Sequence, residues 1–184
     1  MAENLPQLLR LFHHRWSVPV LARLHREGGG AKFITLVNRL GVSRDALRRT
    51  LAALIEQGWV MRNPGYGHPL RPEYILTPGG RRLAPVCNRL MVALQRLGAE
   101  GAGLRKWSLV VMGAVAGGCR RFSEIRAALP GVTARALALT LKQLQDAGLQ
   151  DRVVYDDYPP CVEYRPSPPS RRLSRLLDEL EAVI

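Results

Sequence analysis

The chain has 184 residues, 47% of them hydrophobic and 23% charged, with 27 lysines and arginines against 15 acidic residues for a formal charge of +12. That composition describes a soluble globular chain able to bury one or two compact cores and does not suggest disorder. The longest apolar run, Leu109 to Ala116, is far too short for a membrane span, "MAENLPQLLRLFHHRW" lacks a signal-peptide pattern, and Cys87, Cys119 and Cys161 are too few and too scattered for a disulfide framework or zinc site, so a cytoplasmic protein is expected.

Trp16 to His25 carries apolar residues at three- and four-residue spacing and reads as a short amphipathic helix. "GGG" at 28 to 30 follows it with no strand before, which suits a helix stop and flexible connection better than a phosphate-cradling loop. Phe33 to Leu40 is a second helix. After a tight turn, Ser43 is placed to cap a third, whose inward stripe is Ala46, Leu47, Leu51, Leu54 and Ile55 and whose stop is Gly58. Helix, four-residue turn and capped helix form a helix-turn-helix pattern. "WVMR" and "PEYILT" then read as two strands around "NPGYGHPL", a hairpin loop in the position of a wing. Thr77 with Pro78 opens a long helix to about Leu97.

From there the chain repeats itself. Gly41, Val42, Ser43, Ala46, Leu47, Thr50, Leu51, Leu54 and Gly58 recur as Gly131, Val132, Thr133, Ala136, Leu137, Thr140, Leu141, Leu144 and Gly148, all displaced by 90 residues. The same displacement carries Arg62, Glu73, Tyr74, Arg81 and Leu83 onto Arg152, Glu163, Tyr164, Arg171 and Leu173, and Ser167-Pro168 repeats the cap of the long helix. Two copies are too few for a solenoid, so the chain divides into a first domain, 1–97, and a second, 98–184. The expected fold is mainly α with small β wings (α+β).

Both copies resemble the HxlR family of bacterial winged helix-turn-helix transcriptional regulators. The second copy carries the likeness in "KWSLVVMGAV", "RRFSEI", "PGVTARALALTLKQLQDAGL" and "YPPCVEYRPS", the first more loosely in "RWSVPVLARL", "AKFITL" and "LGVSRDALRRTLAALIEQGW". Two departures stand out. The family's Cys-Pro near the start is missing, since no cysteine precedes Cys87, which argues against thiol sensing. The family also pairs two single-domain chains through terminal helices, so the duplication implies an internal pseudo-two-fold dimer whose terminal helices pack together, with a homodimer of such chains still open.

The resemblance and the charge together imply double-stranded DNA as partner and a transcription regulator as function. No enzyme, cofactor or metal is expected: His13 and His14 diverge on a helix, and His25 and His68 stand alone. With Leu47, Leu51 and Leu54 facing inward, Asp45, Arg49, Ala52 and Glu56 face outward and Arg44 and Arg48 flank them. Phosphate contacts are expected from Arg44, Arg48, Arg62, Arg71, Arg120 and Arg121, and base contacts from Ser43, Arg49 and Arg135, with Lys142 on the same second-copy face. The copies differ in charge: residues 1–97 hold 15 basic and 5 acidic groups for +10, residues 98–184 hold 12 and 10 for +2. A protein-interaction module built on the same winged helices is the alternative, because fold alone does not determine function.

Overall fold

A computed structural model describes residues 5–65, 72–156, 158 and 160–184. In chain order its elements are α1 (Leu5–His13), α2 (Ser17–Arg26), β1 (Gly30–Lys32), α3 (Phe33–Leu40), α4 (Arg44–Glu56), β2 (Val60–Arg62), β3 (Glu73–Leu76), α5 (Pro78–Arg96), α6 (Glu100–Gly103), α7 (Ser108–Ala116), α8 (Phe122–Ala128), α9 (Ala134–Asp146), β4 (Gln150–Tyr155), β5 (Cys161–Pro166) and α10 (Arg171–Val183). The fold is mainly α with two small antiparallel sheets, β1-β3-β2 and β4-β5. No helix among the described residues is long and apolar enough to cross a membrane.

The helix-turn-helix units form for the same local reasons in both halves. Gly41 takes the left-handed conformation (φ +60°) that closes α3, and Gly131 does so (φ +87°) before α9. The Ser43 Oγ then accepts from the Ala46 N–H at 3.3 Å, and the Thr133 Oγ1 accepts from the Ala136 N–H at 3.2 Å. Each cap satisfies one of the amides that a helix start leaves unpaired, typically contributing about 1 kcal/mol. Leu47, Leu51 and Leu54 of α4 and Leu137, Leu141 and Leu144 of α9 face inward and are buried. Ile55 departs from the expected stripe: it is exposed, on the far edge of the apolar face.

The starts of the long helices differ, against the expectation of equivalent caps. Thr77 Oγ1 accepts from the Gly80 N–H and donates to the Gly58 carbonyl at 2.6 Å. Ser167 Oγ donates likewise to the Gly148 carbonyl at 2.7 Å but caps nothing: Pro168–Ser170 forms a 3-10 turn, and α10 begins at Arg171. The cause is Gly80, where a β-carbon would stand 1.9 Å from the Trp59 carbonyl oxygen. The second copy has Ser170 there, so its backbone cannot approach so closely, and the α-helix starts later.

Gly28 to Gly30 stops α2 as expected, with Gly28 and Gly29 at positive φ and the Gly29 N–H donating to the Leu24 carbonyl at 2.8 Å, but the connection is not a free one. It leads directly into β1, which pairs with β3 in the register Gly30↔Ile75, Ala31↔Tyr74, Lys32↔Glu73. The second copy has only the Tyr164 N–H donated to the Arg120 carbonyl, 2.8 Å, in place of that strand.

Buried leucines run as one apolar cluster through both halves. Helix α7 is buried along nearly all of its length, as suits a helix apolar on every face, and α1 packs against it from the other half. Helices α5 and α10 lie against each other, with Leu83, Val86, Leu90 and Leu94 of α5 and Leu173, Leu176, Leu177 and Leu180 of α10 all buried. At each full burial of such a side chain contributes about 1.5–3 kcal/mol, this seam is a major element of the fold.

Replacing Gly80 with alanine is expected to destabilise the protein by about 1–3 kcal/mol in urea denaturation with little change in slope, because backbone has to move. The neighbouring Gly79→Ala, whose β-carbon meets only ordinary contacts of 3.7 Å or more, is expected to be neutral or stabilising.

Candidate nucleic-acid interface

The N-terminal end of α4, the start of α3 and the base of the first wing enclose an open cleft of about 600 Å³. Arg44, Arg48, Arg62 and Lys32 line it together with Phe33 and Tyr74. Arg44, Arg48 and Arg62, which the sequence distributes over nineteen positions, are thus brought to one place. The chain folds so because α4 starts at a capped turn beside α3, while β2 leaves the other end of α4 and returns its Arg62 alongside paired Tyr74. Arg48 is steadied by Asp45, 3.0 Å away, and lies over the Phe33 ring at 5.9 Å. Both charges of that pair are largely exposed, so it orients Arg48 more than it stabilises the fold.

Arg49 lies on a different patch. It neighbours His14, whose imidazole is held below the ordinary histidine range first by burial, then by the positive charges of His13, Arg49 and Lys106. Basic groups from α1, α4 and the segment before α7 therefore act together on His14. Sequence spacing did not reveal this patch, because its members are brought together only by the packing of α1 against both halves. Ser43 is exposed and uses its oxygen as the cap of α4, leaving its hydroxyl proton to donate. Arg71 lies outside the described residues, as do Tyr66 and His68 of the wing loop and Asp157 of the second wing.

The second copy is built differently at the equivalent positions. Ala134 and Ala138 replace Arg44 and Arg48, so the basic cleft is not repeated there. Arg135 and Lys142 are exposed on α9 beside Leu139, which is 55% exposed. Arg120 and Arg121 flank the start of α8, where both backbone N–H groups donate to the Glu124 carboxylate at 2.8 and 3.0 Å and hold it below the usual carboxylate range. The Arg120 guanidinium reaches toward Glu163 at 3.9 Å, and Glu163 also pairs with Arg165 at 2.9 Å. Arg120 is thus drawn into a local acid-base group, which the sequence did not reveal. Among the described residues no cluster of histidine, cysteine and acidic side chains is arranged to hold a metal ion.

Two helix-turn-helix units with capped second helices, each followed by a β-wing, define the chain as a tandem winged helix-turn-helix protein. The family model described as HxlR-like helix-turn-helix matches it twice, over residues 11–100 and 104–184, and the chain belongs to that family. An uncharacterized HTH-type transcriptional regulator of Methanothermobacter thermautotrophicus is 39% identical over 75 residues, covering 41% of this chain and 57% of that protein. The uncharacterized HTH-type transcriptional regulator YtcD of Bacillus subtilis is 36% identical over 75 residues, 41% of this chain and 60% of its own length. The match therefore spans less than two thirds of either relative. Among solved structures, a transcriptional regulator of the MarR family from Enterococcus faecalis V583 is 30% identical with a TM-score of 0.40, covering 50% of this chain and 78% of that one. The crystal structure of ytcD is 36% identical with a TM-score of 0.39, covering 41% and 78%.

Two measurements check the site's chemistry. Burial pushes the Cys87 thiol up to about 12, so it stays protonated at neutral pH. Iodoacetamide at pH 8 is expected to modify the half-buried Cys119 and Cys161, with Cys87 reacting only after denaturation, as mass spectrometry of peptides would record. His14 is expected to titrate below 6.5 in nuclear magnetic resonance spectra of the free protein, and changing Arg49 to alanine is expected to move it upward, since a repelling charge is removed.

Proposed function

We propose that the protein is a sequence-specific, double-stranded DNA-binding transcriptional regulator that presents two recognition helices, α4 and α9, from one chain. The observation that carries this reading is the cleft in which Arg44, Arg48 and Arg62 converge beside the capped start of α4. Arginine forks suit the bidentate, charge-assisted contacts that phosphate and guanine offer, and the N-terminal end of a helix favours anions. In this arrangement the cleft takes backbone phosphates while Ser43 and Arg49 face base edges. Helix α9 contributes Arg135 and Lys142 with little net field, and the exposed Leu139 offers apolar contact to a thymine methyl. Arg71 and Arg121 add backbone contacts at the two wings or their flanks.

The internal pseudo-dimer is supported by the meeting of equivalent residues. Arg89 of α5 donates to Glu179 of α10, and these occupy the same position in the two copies, 90 residues apart. Related positions touch where a two-fold axis passes between them, so the halves of one chain stand where two subunits of a paired regulator stand. Recognition helices so paired enter successive major grooves about 34 Å apart. Domain limits at 97/98 fit this scheme, since α5 then closes the first half and α10 the second.

The experiment is a salt titration of duplex binding by the full chain. Binding is expected to weaken as log salt rises, with a slope of about −0.9 per phosphate neutralised, or about −5 for six contacts. Changing Arg44, Arg48 and Arg49 together to alanine is expected to remove most affinity and flatten the slope by up to about three units, while alanines at Arg135 and Lys142 leave non-specific affinity largely intact. Equal damage from both sets contradicts the proposed division of labour. No binding at about 50 mM salt, together with capture of a folded protein partner, favours the interaction module instead.

A further inference from the structure

The second half buries two side chains whose polar atoms have no hydrogen-bond partner among the described residues. Gln150, at the start of β4, is only 3% exposed, yet neither its amide oxygen nor its amide nitrogen has a hydrogen-bond partner among the described residues. The Ser174 hydroxyl of α10 is likewise buried and without a partner. Both groups line one narrow recess between α7 and α10, together with Met112, Val115 and Pro166, and that recess admits no water-sized sphere. Hydration in place therefore does not account for them, and an unsatisfied buried amide is costly.

The duplication supplies an internal control. The positions equivalent to Gln150 and Ser174 are Val60 and Ala84, both buried at 1% and 0% exposure. A winged helix of this sequence type thus closes with apolar residues at these two points, and the polar pair is not a requirement of the fold. The surroundings differ in the same direction. In the first half α2 packs closely along α5, and β1 covers the edge of β3; in the second half α7 touches α10 over a shorter stretch and no such strand forms.

What stands open there is a cleft of about 370 Å³ that shares Val115, Pro166 and Ser174 with the inner recess. Its mouth carries Arg120, Arg165 and Arg171, opposed by Asp178. Arg165 at 2.9 Å and Arg120 at 3.9 Å both pair with Glu163, whereas Arg171 has no ion pair among the described residues. A concave, partly apolar space with a cationic mouth and unpaired hydrogen-bonding groups at its inner end has the size and character of a small-molecule site.

We propose that the cleft between α7 and α10 binds a small organic anion, its acid group at Arg171 and a hydroxyl or carbonyl group at its inner end bonded to Gln150 and Ser174. Entry parts the two helices enough to admit that inner end, so the ligand supplies the partners the closed form denies to Gln150. Because α10 also carries Glu179 against Arg89 of α5, such a ligand bears on the packing that joins the two halves. The site stands apart from the DNA-binding reading, and its test needs no DNA.

The test is nuclear magnetic resonance titration of the full chain with 4-hydroxybenzoate and with 6-hydroxyhexanoate, a stiff and a flexible hydroxy acid, and with neutral 4-hydroxybenzamide as the charge control. At least one acid is expected to bind saturably at low millimolar concentration or below and to shift the Gln150 side-chain amide signals, while the neutral amide does not. Arg171→Ala is expected to weaken binding by about tenfold. Gln150→Val, which installs the residue of the first copy, is expected to abolish binding and raise the melting temperature of the free protein. Failure of both acids to bind, undiminished binding by Gln150→Val, or a lower melting temperature in that variant each overturns the proposal, the last by making Gln150 a structural residue.

Discussion

The contact between α5 and α10 is the constraint on which the rest of the molecule depends. Each long helix carries an apolar face that has to leave water, and α5 finds its cover both on α2 of its own half and on α10 of the other. Here each copy lends that face to the other, and Leu90, Leu94, Leu177 and Leu180 disappear from solvent within one continuous core. The Arg89–Glu179 pair at the surface of this seam adds orientation more than energy, because both side chains are about half exposed. Once the seam is fixed, so is the placement of α4 relative to α9. In the proposed pairing, linkage removes the concentration-dependent association step that two separate chains complete before both helices are available.

The two copies share a fold and differ in surface and interior chemistry. The first copy keeps the basic cleft and a three-stranded sheet, with β1 sealing the edge of β3. The second has Ala134 and Ala138 where the first has Arg44 and Arg48, no sealing strand among the described residues, and the unpartnered polar groups of Gln150 and Ser174 in its interior. These changes fall in one half and run together, so the difference in net charge is part of a wider divergence. The positions that did not change are those that make the helix-turn-helix unit itself: the Ser43 and Thr133 caps, the glycines before them, and Thr50 and Thr140, each of which donates to the carbonyl four residues back at 2.8 Å. Local geometry was retained while surface chemistry moved.

Much of this was legible in the sequence because it is encoded locally. Caps, apolar stripes and glycine stops act within a few residues of themselves, and their recurrence 90 residues later made each assignment twice over. The misses share a physical character. Strand β1 is "GAK", three residues of low strand preference that pair only because β3 offers an open edge. The late start of α10 depends on a clash between Ser170's position and a carbonyl on the far side of the wing, which no propensity encodes. Arg120 is expected to be free for phosphate until β5 brings Glu163 near it, and the burial of Gln150 has no signal in the sequence. The gathering of His14, Arg49 and Lys106 likewise needs the packing of α1 across the two halves.

The central claim is that one chain, through the α5–α10 seam, acts on duplex DNA as a pair of recognition helices. Hydroxyl-radical footprinting of a selected binding sequence, on complexes shown by mass photometry to contain a single chain, tests it most directly. The account predicts two protected backbone stretches on one face of the duplex, about 10 base pairs apart, with the stronger protection on the side bound by the first copy. A single short protected stretch in the one-chain complex, or protection appearing only when two chains are bound, would contradict it.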